Sequence, residues 1–322
     1  MQIEINNIQV KIEDGETIIE ACRRIGLDIP SLCWSKNAVH KSSCMVCAVR
    51  NLTNGQIIPS CTTLPTEGMH IDTESDEVKG VRKMSLDLLL SDHRADCEAP
   101  CSLVCPEGLD VEAMLNSYDK DNLEDALGLI KHAFQLPVLA CDTCKAPCEK
   151  ACRRRNVDTA VSIRQIIKEI TEMFDASEVK EVENAVIEKK MFQSKLGRFT
   201  DGEKQRLKET VSSKSSCLHC ACDGRSGCSL RQYAGDYQIK RPRYNMGSAM
   251  PVMTKENIKG QLWFEQAKCI RCGLCVYNSN NGFTFKDRGF GMEVILPEEN
   301  KSNVPEGIES LCPTGALYLN VD

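Results

Sequence analysis

The sequence lacks the features that place a protein in a membrane or on a nucleic acid. No apolar run in its 322 residues approaches the ~20 residues of a membrane-spanning helix. The first residues, MQIEINNIQV, lack the charged-then-apolar pattern of a signal peptide. Forty basic residues are outnumbered by forty-six acidic ones, which gives a formal net charge of −6. Because nucleic acids and anionic lipids attract basic surfaces, this charge balance predicts no nucleic-acid partner. The missing apolar runs and signal pattern predict a cytoplasmic protein with no membrane span.

Nucleotide-binding and catalytic motifs are also missing. No Gly-x-Gly-x-x-Gly follows a predicted strand, and there is no P-loop. We therefore expect no flavin or nicotinamide site on this chain. No Ser/His/Asp grouping stands out either, so we predict no catalytic residue.

The abundant residue is cysteine, of which there are twenty, against only five histidines and 5% aromatic residues. The cysteines fall into groups with gaps of one to three residues, separated by long cysteine-free stretches. Short gaps let one loop contact several sides of a metal centre, whereas disulfides have no such preference. Without a signal peptide, this pattern predicts metal ligands in a reducing compartment.

Residues 1–75 are predicted to form a β-rich unit. Apolar and polar residues alternate on both sides of Asn6-Asn7, which predicts a hairpin, and apolar residues at helical spacing follow from Glu16 to Leu27. The next cysteines are then Cys33, Cys44, Cys47 and Cys61. This order resembles the plant-type [2Fe–2S] ferredoxin fold, in the variant that opens the large iron–sulfur subunit of respiratory complex I and the catalytic subunit of iron-only hydrogenases. The resemblance implies a β-grasp domain and four thiolate ligands. A zinc site with four cysteine ligands is the alternative. Cys22 is predicted to be buried and not to bind metal.

Residues 76–170 resemble a different family. Two cysteine groups, DHRADCEAPCSLVCP and CDTCKAPCEKACRR, flank predicted helices at 110–118 and 122–134. The pattern is similar to the two-cluster domain of the glutamate synthase small subunit and of dihydropyrimidine dehydrogenase. That family implies that one [4Fe–4S] cluster takes Cys97, Cys101 and Cys152, and the other takes Cys105, Cys144 and Cys148.

Each of these two sets is one ligand short. Where the family has a Glu or Gln ligand, this sequence has Ile167, which cannot bind iron, so Cys141 is the predicted replacement. The family's earliest cysteine is missing, but His93 precedes Cys97 by four residues, as in the His-x-x-x-Cys start of a complex I cluster. His93 is therefore the predicted fourth ligand of the first cluster.

Two less regular segments follow. Residues 171–216 are rich in charge of both signs and contain no cysteine, which predicts a helical connector with a solvated face. Residues 217–259 begin with four cysteines within twelve residues, Cys217, Cys220, Cys222 and Cys228. They predict a further [4Fe–4S] cluster. Zinc is the alternative, with His219 as a possible zinc ligand.

Residues 260–322 resemble half of a bacterial ferredoxin. The run from Cys269 through Cys272 to Cys275 begins one ferredoxin motif, and Cys312-Pro313-Thr314-Gly315 ends another. Ser279 occupies the first motif's fourth position, so a single cluster is predicted, held by the four cysteines of the two pieces.

Together these patterns predict an α+β multidomain protein with one [2Fe–2S] and four [4Fe–4S] clusters. Nineteen cysteines and His93 supply the twenty ligands that five clusters need. Such a chain has electron carriers but no catalytic module, so we expect a non-catalytic electron-transfer subunit of an oxidoreductase complex. The resemblances imply as partners a flavoprotein that binds NAD(P)H and a hydrogenase, formate dehydrogenase or ferredoxin, as in electron-bifurcating complexes. The alternatives are an electron-feeding subunit of a glutamate-synthase-like NADPH enzyme, an enzyme with an open iron site, and a zinc-rich scaffold.

Overall fold

The computed structural model describes residues 1–93, 95–134, 140–174, 201–210, 213–222, 227–239, 243–244 and 255–319. The chain divides into two compact units. The first consists of Met1–His93, Ser226–Met246 and Lys255–Asp322, and the second of Arg94–Arg225 and Gly247–Thr254. Among the described residues, no helix is long and apolar enough to cross a membrane.

The first unit opens with a five-stranded mixed sheet and two helices. In chain order these are β1 (Gln2–Ile5), β2 (Ile8–Lys11), α1 (Ile18–Arg24), β3 (Ala48–Asn51), β4 (Gln56–Pro59), β5 (His70–Asp72) and α2 (Asp76–Asp92). The strand order is β2-β1-β5-β3-β4, in which β1 and β5 are parallel and the other pairs are antiparallel.

The predicted hairpin and helix are both present at this end of the chain. Asn6 and Asn7 have positive φ values of 48° and 66°, which fit the tight turn that pairs Ile5 with Ile8. Thr17 and Glu20 form a capping box at the start of α1. The apolar face of α1 packs on the sheet, and Cys22 lies in that core with no exposed surface.

The second unit is helical in its described part. Its helices are α3 (Pro100–Leu103), α4 (Val111–Asp119), α5 (Leu123–Ala133), α6 (Pro147–Ala151), α7 (Ile163–Glu172) and α8 (Asp201–Thr210). The predicted helices at 110–118 and 122–134 correspond to α4 and α5. Of the predicted connector 171–216, residues 201–210 are helical, whereas 175–200 and 211–212 lie outside the described residues.

The remainder of the chain returns to the first unit. Its elements are α9 (Ser229–Asp236), β6 (Lys255–Lys259), β7 (Leu262–Glu265), α10 (Leu274–Tyr277), β8 (Thr284–Lys286), β9 (Glu293–Ile295) and β10 (Leu317–Leu319). Strands β10, β7 and β6 form an antiparallel sheet, and β8 pairs with β9. Phe264 and Phe283 stack edge to face in the core between these strands.

Candidate metal centres

The four N-terminal cysteines converge in the first unit. Cys33 and Cys44 lie in the loop between α1 and β3, Cys47 is the last residue before β3, and Cys61 follows β4. All four are at least 94% buried. Hydrogen bonds with Cys44 and Cys61 lower the pKa of the Cys33 thiol, and one with Cys61 lowers the pKa of Cys47 to about 7. The same hydrogen bonds raise the pKa values of Cys44 and Cys61. The four thiols are thus in contact, as the ligands of one metal centre would be, and a metal binds them as thiolates.

A cavity in the second unit collects the next four cysteines. Its empty volume is about 410 Å³. Cys105, Cys141, Cys144 and Cys148 all line it, and so does the side chain of Ile167 on α7. Cys141 therefore lies in the same cavity as Ile167, whose side chain offers no ligand atom for a cluster. Four thiols around one cavity fit the ligand requirement of a [4Fe–4S] cluster.

A second group of thiols in this unit combines residues that are far apart in sequence. Cys101, Cys217 and Cys220 are buried in one core, and Cys152 packs against it. Burial raises the pKa of Cys101, and the neighbouring thiols Cys217 and Cys152 raise it further. The sequence placed Cys101 and Cys152 in one set and Cys217 and Cys220 in another. In the structure all four contact one core, which also contains Cys148 and is contacted by Cys105 and Cys141.

The C-terminal cysteines form a group in the first unit. Burial raises the pKa values of Cys269, Cys272 and Cys275, and Cys312 interacts electrostatically with all three. Gly273 has a φ of +82°, and a Cβ there would lie 2.6 Å from the ring of Tyr277. Glycine at this position thus permits the tight loop between two of the cysteines.

Backbone N–H groups point at several of these sulfur atoms. The N–H of Arg271 donates to Cys269 Sγ at 3.3 Å, and that of Leu317 donates to Cys312 Sγ at 3.4 Å. Hydrogen bonds to ligand sulfur stabilise the added negative charge of a reduced cluster, so they raise its reduction potential.

The other predicted ligands are divided between the units. Cys97 and Cys222 belong to the second unit, where the Cys222 N–H donates to the Cys97 carbonyl oxygen at 3.3 Å. In the first unit, Cys228 begins α9 and interacts electrostatically with Cys312. His93 directly follows α2 in the first unit and is buried, and its role as a ligand stays a prediction.

Two carboxylates contact His219, the possible zinc ligand of the sequence analysis. Its Nδ1 lies 2.8 Å from Glu112 and its Nε2 lies 3.1 Å from Asp119. Burial lowers its pKa, but hydrogen bonds to Asp119, Cys217 and Glu112 outweigh that effect and raise the pKa to about 11. These carboxylates lie about a hundred residues before His219, so no local spacing signal pointed to them.

Within the described residues, no three His, Cys, Asp or Glu side chains are placed to hold a single metal ion.

The fold and the thiol groups define an iron–sulfur protein, and comparison with known families agrees. Residues 1–76 match the 2Fe-2S iron-sulfur cluster binding domain. Residues 89–179 match the 4Fe-4S cluster family described as dihydropyrimidine dehydrogenase domain II. The two resemblances predicted from the sequence are thereby confirmed.

The chain is similar to components of larger complexes. It is 29% identical over 112 residues to an NADH-quinone oxidoreductase subunit of Rhizobium meliloti (strain 1021), and 31% identical over 111 residues to an NADH-quinone oxidoreductase subunit of Pseudomonas fluorescens. These segments are 35% and 33% of this chain but only 12% of each relative's length.

A likeness in fold extends over nearly the whole chain. The crystal structure of an NAD+-reducing [NiFe]-hydrogenase in the H2-reduced state contains a chain that aligns with a TM-score of 0.52. The alignment covers 99% of this chain and 86% of that one, at 15% identity. At this identity the match shows a shared fold.

Proposed function

We propose that this chain is an iron–sulfur electron-transfer subunit of an NADH-linked oxidoreductase complex. The observation that carries the proposal is that two different cluster-binding domains and a third thiol group occur on one chain. A single chain with several one-electron centres is suited to conduct electrons between partners. The relatives named above are subunits of complexes whose names include NADH or NAD+, which supports nicotinamide-linked partners.

The proposed cofactors are one [2Fe–2S] cluster and four [4Fe–4S] clusters. We assign residues 1–75 to a β-grasp domain holding the [2Fe–2S] cluster and residues 260–322 to a ferredoxin-like domain holding one [4Fe–4S] cluster. The β2-β1-β5-β3-β4 order with α1 packed on the sheet supports the first assignment. The convergence of Cys269, Cys272, Cys275 and Cys312 supports the second.

The proposed partners are a flavoprotein that exchanges hydride with NADH and a second redox unit such as a hydrogenase, a formate dehydrogenase or ferredoxin. A hydride carries two electrons together, so a one-electron cluster needs a flavin to divide the pair. The many thiolate ligands require a reducing compartment, and we propose the cytoplasm.

The test uses the full chain purified without oxygen. Dithionite should bleach its visible absorbance, whereas NADH and NADPH should leave the spectrum unchanged. Addition of the flavoprotein that co-purifies with the chain from its native host should make the clusters reducible by NADH. Turnover of NADH with a dye by the isolated, flavin-free chain would show that the proposal is wrong.

A further inference from the structure

The segment 213–222 is attached to the helical part of the second unit at its first residues. The backbone N–H and the hydroxyl of Ser215 donate to the two carboxylate oxygens of Asp119, each at 2.6 Å. The guanidinium of Arg154 donates to the carbonyl oxygen of Ser216 at 3.4 Å. Since Asp119 ends α4 and Arg154 follows Cys152 by two residues, these contacts place the segment beside the predicted cluster loops.

The other end of the segment is attached to the residues that precede α3. Ala221 forms a parallel β-bridge with Asp96, and the Cys222 N–H donates to the Asp96 carbonyl oxygen at 3.2 Å. Asp96 is itself fixed by a two-bond ion pair with Arg153, with both distances 2.8 Å. The segment is therefore held at both ends, and the two cysteines between those ends have defined positions.

These positions bring four thiols together. Cys217 and Cys220 are 7% and 8% exposed, and both lie in the core that contains Cys101 and Cys148. Cys217 interacts electrostatically with Cys101 and Cys152, and Cys220 interacts with Cys101 and Cys217. Among the charged groups near Cys101, the thiols of Cys217 and Cys152 exert the largest electrostatic effects on its pKa.

The loop from Cys217 to Cys220 shares two backbone features with the ferredoxin-like loop from Cys269 to Cys272. The third residue of each, His219 and Arg271, has a positive φ, of 46° and 56°. In each, the N–H of that third residue donates to the sulfur of the first cysteine, at 3.4 Å and 3.3 Å. Non-glycine residues adopt this conformation less readily than glycine, and in both loops it accompanies an N–H directed at a cysteine sulfur.

Positive charge lies close to these thiols. The guanidinium of Arg154 is largely buried and interacts electrostatically with both Cys152 and Cys217. Four thiolates in one site repel one another, and a nearby cation reduces that repulsion. Arg154 also donates to both carboxylate oxygens of Asp158, at 2.6 Å and 2.7 Å, so only part of its charge offsets the repulsion between the thiolates.

We infer that Cys101, Cys152, Cys217 and Cys220 are the four ligands of one [4Fe–4S] cluster. This set keeps two of the residues implied by the family and replaces His93 and Cys97 with two cysteines that lie beyond the matched family domain. The inference rests on the proposed function only in that the chain binds iron–sulfur clusters.

The experiment compares Cys101→Ala, Cys217→Ala and the double variant in the full chain, reconstituted without oxygen with iron and sulfide. If the two residues share a cluster, each single variant loses about four iron atoms and the same low-temperature EPR signal, and the double variant loses no more. If they belong to separate clusters, the double variant loses about eight iron atoms, and the inference is overturned. Cys22→Ala is the matched control, because this buried cysteine is not a predicted ligand, and it should keep all the iron.

Retention of the cluster in the cavity lined by Cys105 and Cys148 reports whether the second unit has folded. Should the alanine variants lose that cluster as well, Cys101→Asp, Cys217→Asp and Cys97→Asp replace them, since a carboxylate can bind iron while altering the spectrum. The inference predicts that Cys101→Asp and Cys217→Asp change the same signal and that Cys97→Asp leaves that signal intact. The opposite pattern, or zinc bound at Cys217, would refute it. None of these measurements uses a partner or a nicotinamide, so a loaded chain that fails to exchange electrons with a flavoprotein would contradict the proposed function alone.

Discussion

The side chain of Asn278 holds the backbone of Val39 through two hydrogen bonds. The Val39 N–H donates to Asn278 Oδ1 at 2.9 Å, and Asn278 Nδ2 donates to the Val39 carbonyl oxygen at 2.8 Å. Val39 lies in the loop between Cys33 and Cys44, and Asn278 directly follows α10. The thiols of Cys272 and Cys33 also interact electrostatically. The loop with Cys33 and Cys44 and the residues after α10 are thus neighbours within the first unit, so if each side holds its predicted cluster, we expect electrons to pass directly between the two clusters.

This contact can be tested with Asn278→Ala. The change removes both bonds to Val39 and a third to the Leu274 carbonyl, and should lower the free energy of unfolding by about 1–3 kcal/mol. In the reduced wild-type chain, we expect magnetic coupling between the two clusters in EPR spectra, because their ligands are close. The coupling should weaken in the variant, and electron transfer between the two clusters after rapid reduction should slow.

Asn300→Ala, in the same C-terminal part of the chain, is the control for Asn278→Ala. It should retain the magnetic coupling and the transfer rate. Clusters that show no coupling in the wild-type chain would contradict direct transfer between them.

A second prediction concerns Cys141 and Ile167, which line one cavity. Cys141→Ala should remove about four iron atoms per chain, because the isoleucine offers no substitute ligand. Adding Ile167→Glu should restore part of that iron, since it introduces the carboxylate that the resembled family has at this place. The measurement is iron and acid-labile sulfide per chain. Full iron content in Cys141→Ala alone would show that another residue completes the site.

Local patterns in the sequence predicted the local structure well. The hairpin at Asn6 and Asn7, the helix capped by Thr17 and the helices α4 and α5 depend on contacts within a few residues, and these contacts leave a visible periodicity. The convergence of Cys33, Cys44, Cys47 and Cys61 could be predicted because a known spacing accompanied the fold pattern.

Contacts across long separations could not be predicted in this way. Spacing alone grouped Cys217 with Cys228, yet Asp119 and Asp96 hold the segment 213–222 beside Cys101. Contacts of Asp119 and Asp96 with this segment leave no periodic pattern, either around the two aspartates or within residues 213–222. The pairing of Asn278 with Val39 spans 239 residues and was missed for the same reason.

The third prediction is the metal content of the whole chain. Five clusters should bind about eighteen iron atoms with matching acid-labile sulfide, and the purified protein should be brown. A zinc scaffold would instead be colourless. Iron below about half of the expected amount after reconstitution, or zinc as the main metal, would contradict the cluster assignment.

The last prediction concerns the charge on His219. Its pKa is raised from 6.5 to about 11, so the imidazolium persists at neutral pH beside Cys217. Because the folded-state pKa is raised, the stabilisation from this ion is complete below about pH 6.5, declines progressively above that pH, and is lost once the pH passes about 11. The positive charge favours the more negative, reduced form of a cluster at Cys217. His219→Gln should therefore lower the midpoint potential of that cluster by tens of millivolts, where ~59 mV is a tenfold change for one electron.

A spectroscopic redox titration measures this effect, with His132→Gln as the control. His132 lies exposed on α5 of the same unit, and its replacement should leave all potentials unchanged. The wild-type potential of the cluster at Cys217 should also vary little from about pH 6 to about pH 9, since His219 keeps its proton throughout that range. A potential that falls with rising pH in the wild-type chain, and loses that dependence in His219→Gln, would mean that the histidine titrates near neutrality and that its carboxylate partners do not hold the proton. If the potential is the same in both chains, the imidazolium has no electrostatic effect on the cluster.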